Sequence, residues 1–392
     1  MVVRAIGDNI YSVGVIDWDR RLFDELIPLP DGTTYNSFLV KNNEDALLID
    51  TVDPSKKEEF YQNLQEAKVK KISYIIAHHA EQDHAGCIGD ILKKYPGCRV
   101  ITNKKCKELL IAELHLDEND FIEIADGDSF QFGDKKFYFV FAPWVHWPET
   151  FLTYLPEEKI LFTCDFFGSH LATSELWASD DEHLFLSAKR YYAEIMMPFR
   201  SYIKKHLKKL KDFSIKTIAP SHGPVYKNPE FIMNAYQQWI SDKVKNEVVL
   251  PYISMHGSTE KMVFHLVEEL MKRNVKVIPY HLTNTDIGEL AMSLVDAATI
   301  VLASPTVLTG PHPQIVYVAY LANALKPKVK YAGIIGSYGW GSKMEKDLLQ
   351  ILSNLKVELL PTIMVKSYPR EEDLNKLNDL ADTIVEYHKK LK

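Results

Sequence analysis

The run His78-His79-Ala80-Glu81-Gln82-Asp83-His84 constrains this chain more than any other stretch. Three imidazoles and two carboxylates fall within seven residues, directly after residues 72–77, an apolar run that reads as a buried strand. Such crowding is costly unless the groups hold something in common. Neutral imidazole and ionised carboxylate are both good metal ligands, and a loop at a strand end lets alternate side chains converge. A metal site is therefore the first expectation, against the plainer reading of a solvated polar loop.

Three later clusters have the same grammar. Residues 136–142 read as a strand running into Pro143-Trp144-Val145-His146-Trp147-Pro148-Glu149-Thr150, residues 159–163 as a strand ending at Cys164-Asp165, and residues 215–219 as a strand entering Pro220-Ser221-His222-Gly223-Pro224. Helices are expected at about 54–67, 88–95, 181–196, 201–211 and 229–243. Four polar clusters, each after an apolar strand, suit a metal site built from loops at one edge of a β-sandwich. Together they offer His79, Glu81, Asp83, His84, His146, Asp165 and His222. Four histidines and three carboxylates suffice for two metals, with Asp165 as the natural bridge because a carboxylate has two oxygens.

Near residue 246 the pattern changes to repeated β-α units, with apolar strands expected at 248–253, 275–280, 299–303, 329–334 and 357–365. Five parallel strands in this span suit a doubly wound sheet, whose ligand sits outside the carboxyl ends of the strands. The expected domains are therefore 1–247 and 248–392. The net charge of -7 argues against a nucleic-acid or anionic-membrane surface. No run reads as a signal peptide or a membrane span, and the expectation is a soluble, cytoplasmic protein. Cys87, Cys98, Cys106 and Cys164 form no C-x-x-C pair, which excludes a thiolate-bound iron centre of the rubredoxin kind within this polypeptide. Electrons must then arrive from another molecule.

The first half resembles the metallo-β-lactamase superfamily, whose binding loop is H-x-H-x-D-H with later His, Asp and His ligands; the likeness covers roughly residues 1–245. It implies an αββα sandwich. Glu81 stands where hydrolytic members have a second histidine, and the added carboxylate favours iron over zinc. The pattern H-x-E-x-D-H, with the second domain, resembles the flavodiiron proteins. In that family His79, Glu81 and His146 would hold one iron, Asp83, His84 and His222 the other, and Asp165 would bridge them; His170 is placed like a histidine behind the ligands, near the substrate pocket. His78 points away on an extended segment and reads as packing, while Trp144, Trp147, Phe166 and Phe167 read as core and pocket wall.

Residues 248–392 resemble a flavodoxin-like FMN domain in three loops. Ser254, Gly257 and Thr259 match the phosphate loop, with His256 at its middle hydroxyl position and Ser258 beside it; the alternative is an ordinary capped helix start. Pro305, Thr306, Leu308 and Thr309 form a second loop, and Ser337, Tyr338, Gly339, Trp340 and Gly341 a third. The resemblance implies reduction of dioxygen to water or of nitric oxide to nitrous oxide, with FMN and two irons as cofactors. It also implies a head-to-tail homodimer or dimer of dimers, and rubredoxin or a reduced deazaflavin coenzyme as donor. The competing readings are a dizinc hydrolase with an appended flavodoxin domain and a flavin electron carrier with an inert metal site.

Overall fold

The structure, a computed structural model, describes residues 3–391. It comprises two compact units: the described part of Met1–Tyr192 together with Phe199–Gln237, and Ala193–Pro198 together with the described part of Gln238–Lys392. The longer segment of the second unit thus begins within the helix Pro229–Ile240, and the division drawn at 247/248 lies within the strand Lys245–Tyr252.

The first unit is an αββα sandwich. One sheet has seven strands, in the order Arg4–Gly7, Ile10–Ser12, Phe38–Asn42, Asp45–Ile49, Tyr74–Ile76, Arg99–Asn103 and Phe121–Ile124. The other has five: Ser129–Phe132, Lys135–Phe141, Phe151–Leu155, Ile160–Cys164 and Thr217–Pro220. Alternation along the strands explains why they read as unbroken apolar runs. Val40, Leu47, Ile76 and Ile101 meet Phe137, Phe139, Phe151 and Phe162 between the sheets. Their neighbours Leu39, Leu48, Ile75 and Val100 pack outward against Phe60, Leu64, Ile88 and Leu110 of the helices.

Strand direction gathers the polar clusters. Lys135–Phe141 and Ile160–Cys164 are each antiparallel to Phe151–Leu155 and so run the same way, and Thr217–Pro220 is parallel to the second of them. All three end at one edge. The backbone amide of Phe151 donates to the carbonyl of His78 across the two sheets at 3.4 Å, bringing the histidine loop to that edge. The helix expected over 181–196 runs as an α-helix over Glu182–Tyr191 and then widens into a π-turn over Tyr192–Met196.

The second unit is a doubly wound parallel sheet in the order Lys276–His281, Lys245–Tyr252, Ala297–Val307, Tyr331–Tyr338, then an edge made of Glu358–Leu359 and Ile363–Lys366. Helices Ser258–Lys272 and Glu371–His388 bury Val263, Leu266, Leu380 and Ile384 on one face. Ile287–Leu294, Pro313–Leu325 and Met344–Ile351 cover the other. The single fifth strand expected over 357–365 is interrupted. Ala332 pairs with Leu359 and Ile335 with Ile363, so the edge carries one extra residue between them, where Pro361 has no amide to give. The third strand runs on through Val307 into a two-residue hairpin at Leu308 and Thr309 (φ +47° and +72°).

Candidate functional site

Four strand ends deliver the seven candidate ligands to one buried cluster. His79 and Glu81 lie in the loop after Tyr74–Ile76, Asp83 and His84 in the short helix Gln82–Ala85, His146 after Lys135–Phe141, Asp165 immediately after Ile160–Cys164, and His222 just beyond Thr217–Pro220. Gly223 follows His222 at φ +82°, and a Cβ there would lie 2.1 Å from the Ser169 hydroxyl, so the turn that presents His222 requires glycine.

Asp165 divides the cluster into two sets. Its Oδ2 lies 3.6 Å from His79 Nε2 and 3.4 Å from His146 Nε2, while Glu81 Oε2 lies 3.0 and 3.2 Å from the same two nitrogens. Its Oδ1 lies 3.0 Å from His84 Nε2 and 3.4 Å from His222 Nε2, and Asp83 reaches those nitrogens at 3.3 and 3.1 Å. His79, Glu81, His146 and Asp165 form one group of mutually close ligand atoms, and Asp83, His84 and His222 a second.

The electrostatics are those of a cation site. Burial disfavours imidazolium, yet the Asp165 and Glu81 carboxylates outweigh it and carry the His146 pKa up to about 9. Asp165 and Asp83 likewise carry that of His222 up to about 10. Burial also opposes charge on Asp165, but His84, His146 and His222 hold it well below the usual carboxylate range. Both oxygens of Asp83 and both ring nitrogens of His84 are buried without a well-directed hydrogen bond among the described residues: Asp83 and His84 Nε2 have only the close charged neighbours given above, and His84 Nδ1 has no hydrogen-bond partner. Leaving such groups unsatisfied costs about 1–3 kcal/mol each. Bound metal removes that cost, so the residues present fit two metal ions.

The surroundings fix the rings. His222 Nδ1 donates to the Thr34 carbonyl at 2.6 Å, and the Tyr191 hydroxyl donates to Asp165 Oδ1 at 3.0 Å. His170 is buried behind the ligands, its Nδ1 2.9 Å from the Thr33 hydroxyl and its ring 4.9 Å from that of His222. Burial, reinforced by His222, holds its pKa well below the ordinary value, so it is neutral. Phe23, on the hairpin formed by Leu22–Phe23 and Ile27–Pro28, packs on His170 and His222, and Trp147 packs edge-on against His79 at 4.8 Å. Trp144, expected in the core or pocket wall, is 40% exposed and stacks on Phe199. His78 turns away, bonded to Asp50 Oδ2 and the Thr153 hydroxyl, both at 2.7 Å.

In the second unit a cleft of about 200 Å³ opens at the carboxyl ends of the strands. Ser254, His256, Ser258, Thr259, Pro305, Thr306, Ser337, Tyr338 and Gly339 line it, with Met255 and Ser367. Gly257 caps the helix Ser258–Lys272 at φ +80°, and the helix's first amides, with the Ser254, Ser258 and Thr259 hydroxyls, suit a phosphate. Leu308, Thr309, Trp340 and Gly341 lie outside the lining: the first two form the hairpin tip, and Trp340 is 79% exposed.

The model of the ODP family beta lactamase matches residues 33–223. The nitric oxide reductase of Moorella thermoacetica is 35% identical over 390 residues, 97% of each chain. The flavodiiron protein of Giardia intestinalis superimposes with a TM-score of 0.92 at 26% identity, covering 100% of this chain and 98% of that one. The chain belongs to the flavodiiron protein family. Another flavodiiron structure, the rubredoxin oxygen:oxidoreductase of Desulfovibrio gigas, superimposes with a TM-score of 0.94 at 26% identity over 99% of each chain. As a flavodiiron protein the chain is an oxidoreductase whose cofactors are FMN and a pair of irons.

Sequence reasoning passed over several residues of these sites. Glu149, which bonds His79, stands three residues from His146 and was visible in its cluster. Tyr191, Thr33 and Thr34 carry no local signal, because they reach the ligands only through the tertiary fold. Ser367 follows the strand Ile363–Lys366, and a polar residue at that strand end was a readable sign.

Proposed function

We propose that this flavodiiron protein reduces dioxygen to water or nitric oxide to nitrous oxide at irons supplied with electrons through FMN. The observation that carries this reading is the placement of Asp165, whose two oxygens face two separate sets of buried ligands. In this reading His79, Glu81 and His146 would hold one iron, Asp83, His84 and His222 the other, and Asp165 would be shared between the two sets. The metal domain ends and the flavin domain begins between residues 238 and 248. Bound there, the irons supply electrons and adjacent coordination positions for a diatomic gas, and FMN relays electrons to them.

The chain's own residues bind, orient and exclude water. The Thr34 carbonyl holds the Nδ1 proton of His222, so that Nε2 is the nitrogen a metal in the cluster would take in place of a proton. Tyr191 holds Asp165 Oδ1 in place and keeps an O–H beside the cluster. Phe23 and Trp147 wall the cluster with apolar surface, which limits access of bulk water to reactive species. In the cleft Ser254, His256, Gly257, Ser258 and Thr259 would hold the phosphate end of FMN, and Thr306, Ser337, Tyr338 and Gly339 would line the rest of its site. Trp340, Gly341, Leu308 and Thr309 belong to the rim.

The reading includes a head-to-tail homodimer, alone or paired into a dimer of dimers, with each flavin beside the partner's irons. Supporting it, Leu308 (90%), Trp340 (79%) and Tyr368 (56%) are large side chains exposed in the unit that carries the cleft, which a partner's face would cover. The donor is rubredoxin or a reduced deazaflavin coenzyme; the rubredoxin named for the Desulfovibrio gigas enzyme supports the first. The location is cytoplasmic. All four cysteines are free, and among the described residues no helix is long and apolar enough to cross a membrane. In the deciding experiment the protein is reduced anaerobically with each donor, then exposed in parallel to dioxygen and nitric oxide. Gas consumption by a yellow, iron-containing dimer is expected. A colourless, zinc-containing protein that consumes neither gas would overturn the proposal.

A further inference from the structure

The two ligand sets are backed differently. His79 Nδ1 lies 2.6 Å from Glu149 Oε1, so this nitrogen donates to a carboxylate, and Nε2, which faces Glu81 and Asp165, is the nitrogen left for a metal. Across the cluster, the corresponding bond of His222 goes to a neutral acceptor, the Thr34 carbonyl, and His84 Nδ1 has no partner among the described residues. Glu149 is itself fixed. It is 2% exposed, its Oε1 also accepts from the Ala80 amide at 3.3 Å, and its carbonyl accepts from Asn103 Nδ2 at 2.5 Å. Its Oε2 is buried without a hydrogen-bond partner among the described residues, so the carboxylate bonds the imidazole through one oxygen and is not shared out among other side-chain donors.

We propose that Glu149 is a positioning residue that makes the two metal positions unequal, strengthening the electron donation of His79 so that the metal beside it binds more tightly and holds the higher oxidation state more readily. A carboxylate behind a ligating histidine orients the ring and raises its basicity; a carbonyl orients it with a smaller electronic effect. The asymmetry lies in the polypeptide, since it arises from the acceptors behind the rings.

The inference rests on the two-metal reading, and the test separates the two. Metal-free wild-type chain is titrated with cobalt(II), and binding of two ions per chain checks the reading by itself. Glu149→Gln keeps an oxygen acceptor of nearly the same shape but removes the charge. It is expected to weaken one of the two cobalt steps by roughly 10–100-fold and leave the other unchanged. In the iron-loaded variant the two one-electron steps, followed by electron paramagnetic resonance, are expected to move closer together, shrinking the mixed-valent population. Anomalous scattering from crystals at limiting cobalt is expected to show the loss beside His79. Glu149→Asp, which keeps the charge at shorter reach, falls between wild type and Glu149→Gln and carries the same comparison should the latter be insoluble. Equal weakening of both steps, or unchanged binding together with an unchanged mixed-valent population, would overturn the inference. The first of these outcomes marks Glu149 as a mere buttress of the loop.

Discussion

The hydroxyl of Tyr191 lies 3.0 Å from Oδ1 of Asp165, so a residue from outside the four ligand loops reaches the carboxylate that both ligand sets share. Tyr191→Phe keeps the ring, which is buried and packs against His170 at 4.8 Å, and removes the donor alone. A hydrogen bond to a charged group is worth about 1.5–3 kcal/mol, so turnover is expected to fall by roughly tenfold or more with iron content unchanged. Steady-state gas consumption alongside iron analysis checks this. Unaltered turnover would show that the bond has no part in the reaction.

Asp165→Ala removes the carboxylate that both sets share. The imidazoles of His79, His84, His146 and His222 then face one another with less negative charge between them. Loss of iron and a fall in gas reduction beyond about 100-fold are expected, more than a residue behind the ligands would cost. Flavin absorbance is expected to survive. Iron retained at the wild-type level would contradict the bridging role.

Thr259→Val probes the other site. The Thr259 hydroxyl is buried at the first turn of Ser258–Lys272 and lies 3.1 Å from that of Ser337. Valine keeps the shape and removes a hydroxyl that the proposed phosphate site would use, so FMN binding is expected to weaken by roughly 10–100-fold while iron content holds. Fluorescence titration of the flavin-free variant measures it. Wild-type affinity would move the phosphate site away from this helix.

What the sequence made legible follows from how local each signal was. His79, Glu81, Asp83 and His84 crowd one loop, and His146, Asp165 and His222 each follow an apolar strand, so both residue type and position were on view. Strand direction then explains why the four loops meet. The loops around the second unit's cleft were legible by position but not in extent. The third strand of the second unit continues through Val307 and the fourth through Tyr338, because pairing of Pro305 with Ser337 and of Val307 with Gly310 extends the ladder past the apolar run. That extension carries Leu308 and Thr309 out to a hairpin tip. Pro361 broke the fifth strand although the flanking residues are apolar. Tyr191 escaped notice for a different reason, since a phenol behind a ligand has no spacing rule and is defined by the partner it meets; Glu149 stood in view beside His146, but only the fold brings His79 to it.

The last helix contains a buried histidine whose titration is separate from the metal cluster. His388 is 8% exposed, with its Nδ1 2.7 Å from Asn246 Oδ1 and its Nε2 2.7 Å from the Thr299 hydroxyl. Nδ1 donates to the Asn246 oxygen, and in the neutral ring Nε2 accepts from the Thr299 hydroxyl. Burial lowers the pKa from 6.5 to about 4. The unfolded chain therefore takes up a proton that the folded chain refuses. This contribution to stability is fully present above about pH 6.5 and is lost as the pH falls toward 4, with a ceiling of about 3 kcal/mol. His388→Gln retains a donor and an acceptor and does not titrate. Thermal unfolding of both proteins between pH 7.5 and 4.5 is expected to show wild type losing midpoint relative to the variant as the pH falls. Taking the difference removes the acid sensitivity of the metal ligands, which both proteins share. Parallel pH profiles would mean that the His388 ring gains its proton without leaving Thr299.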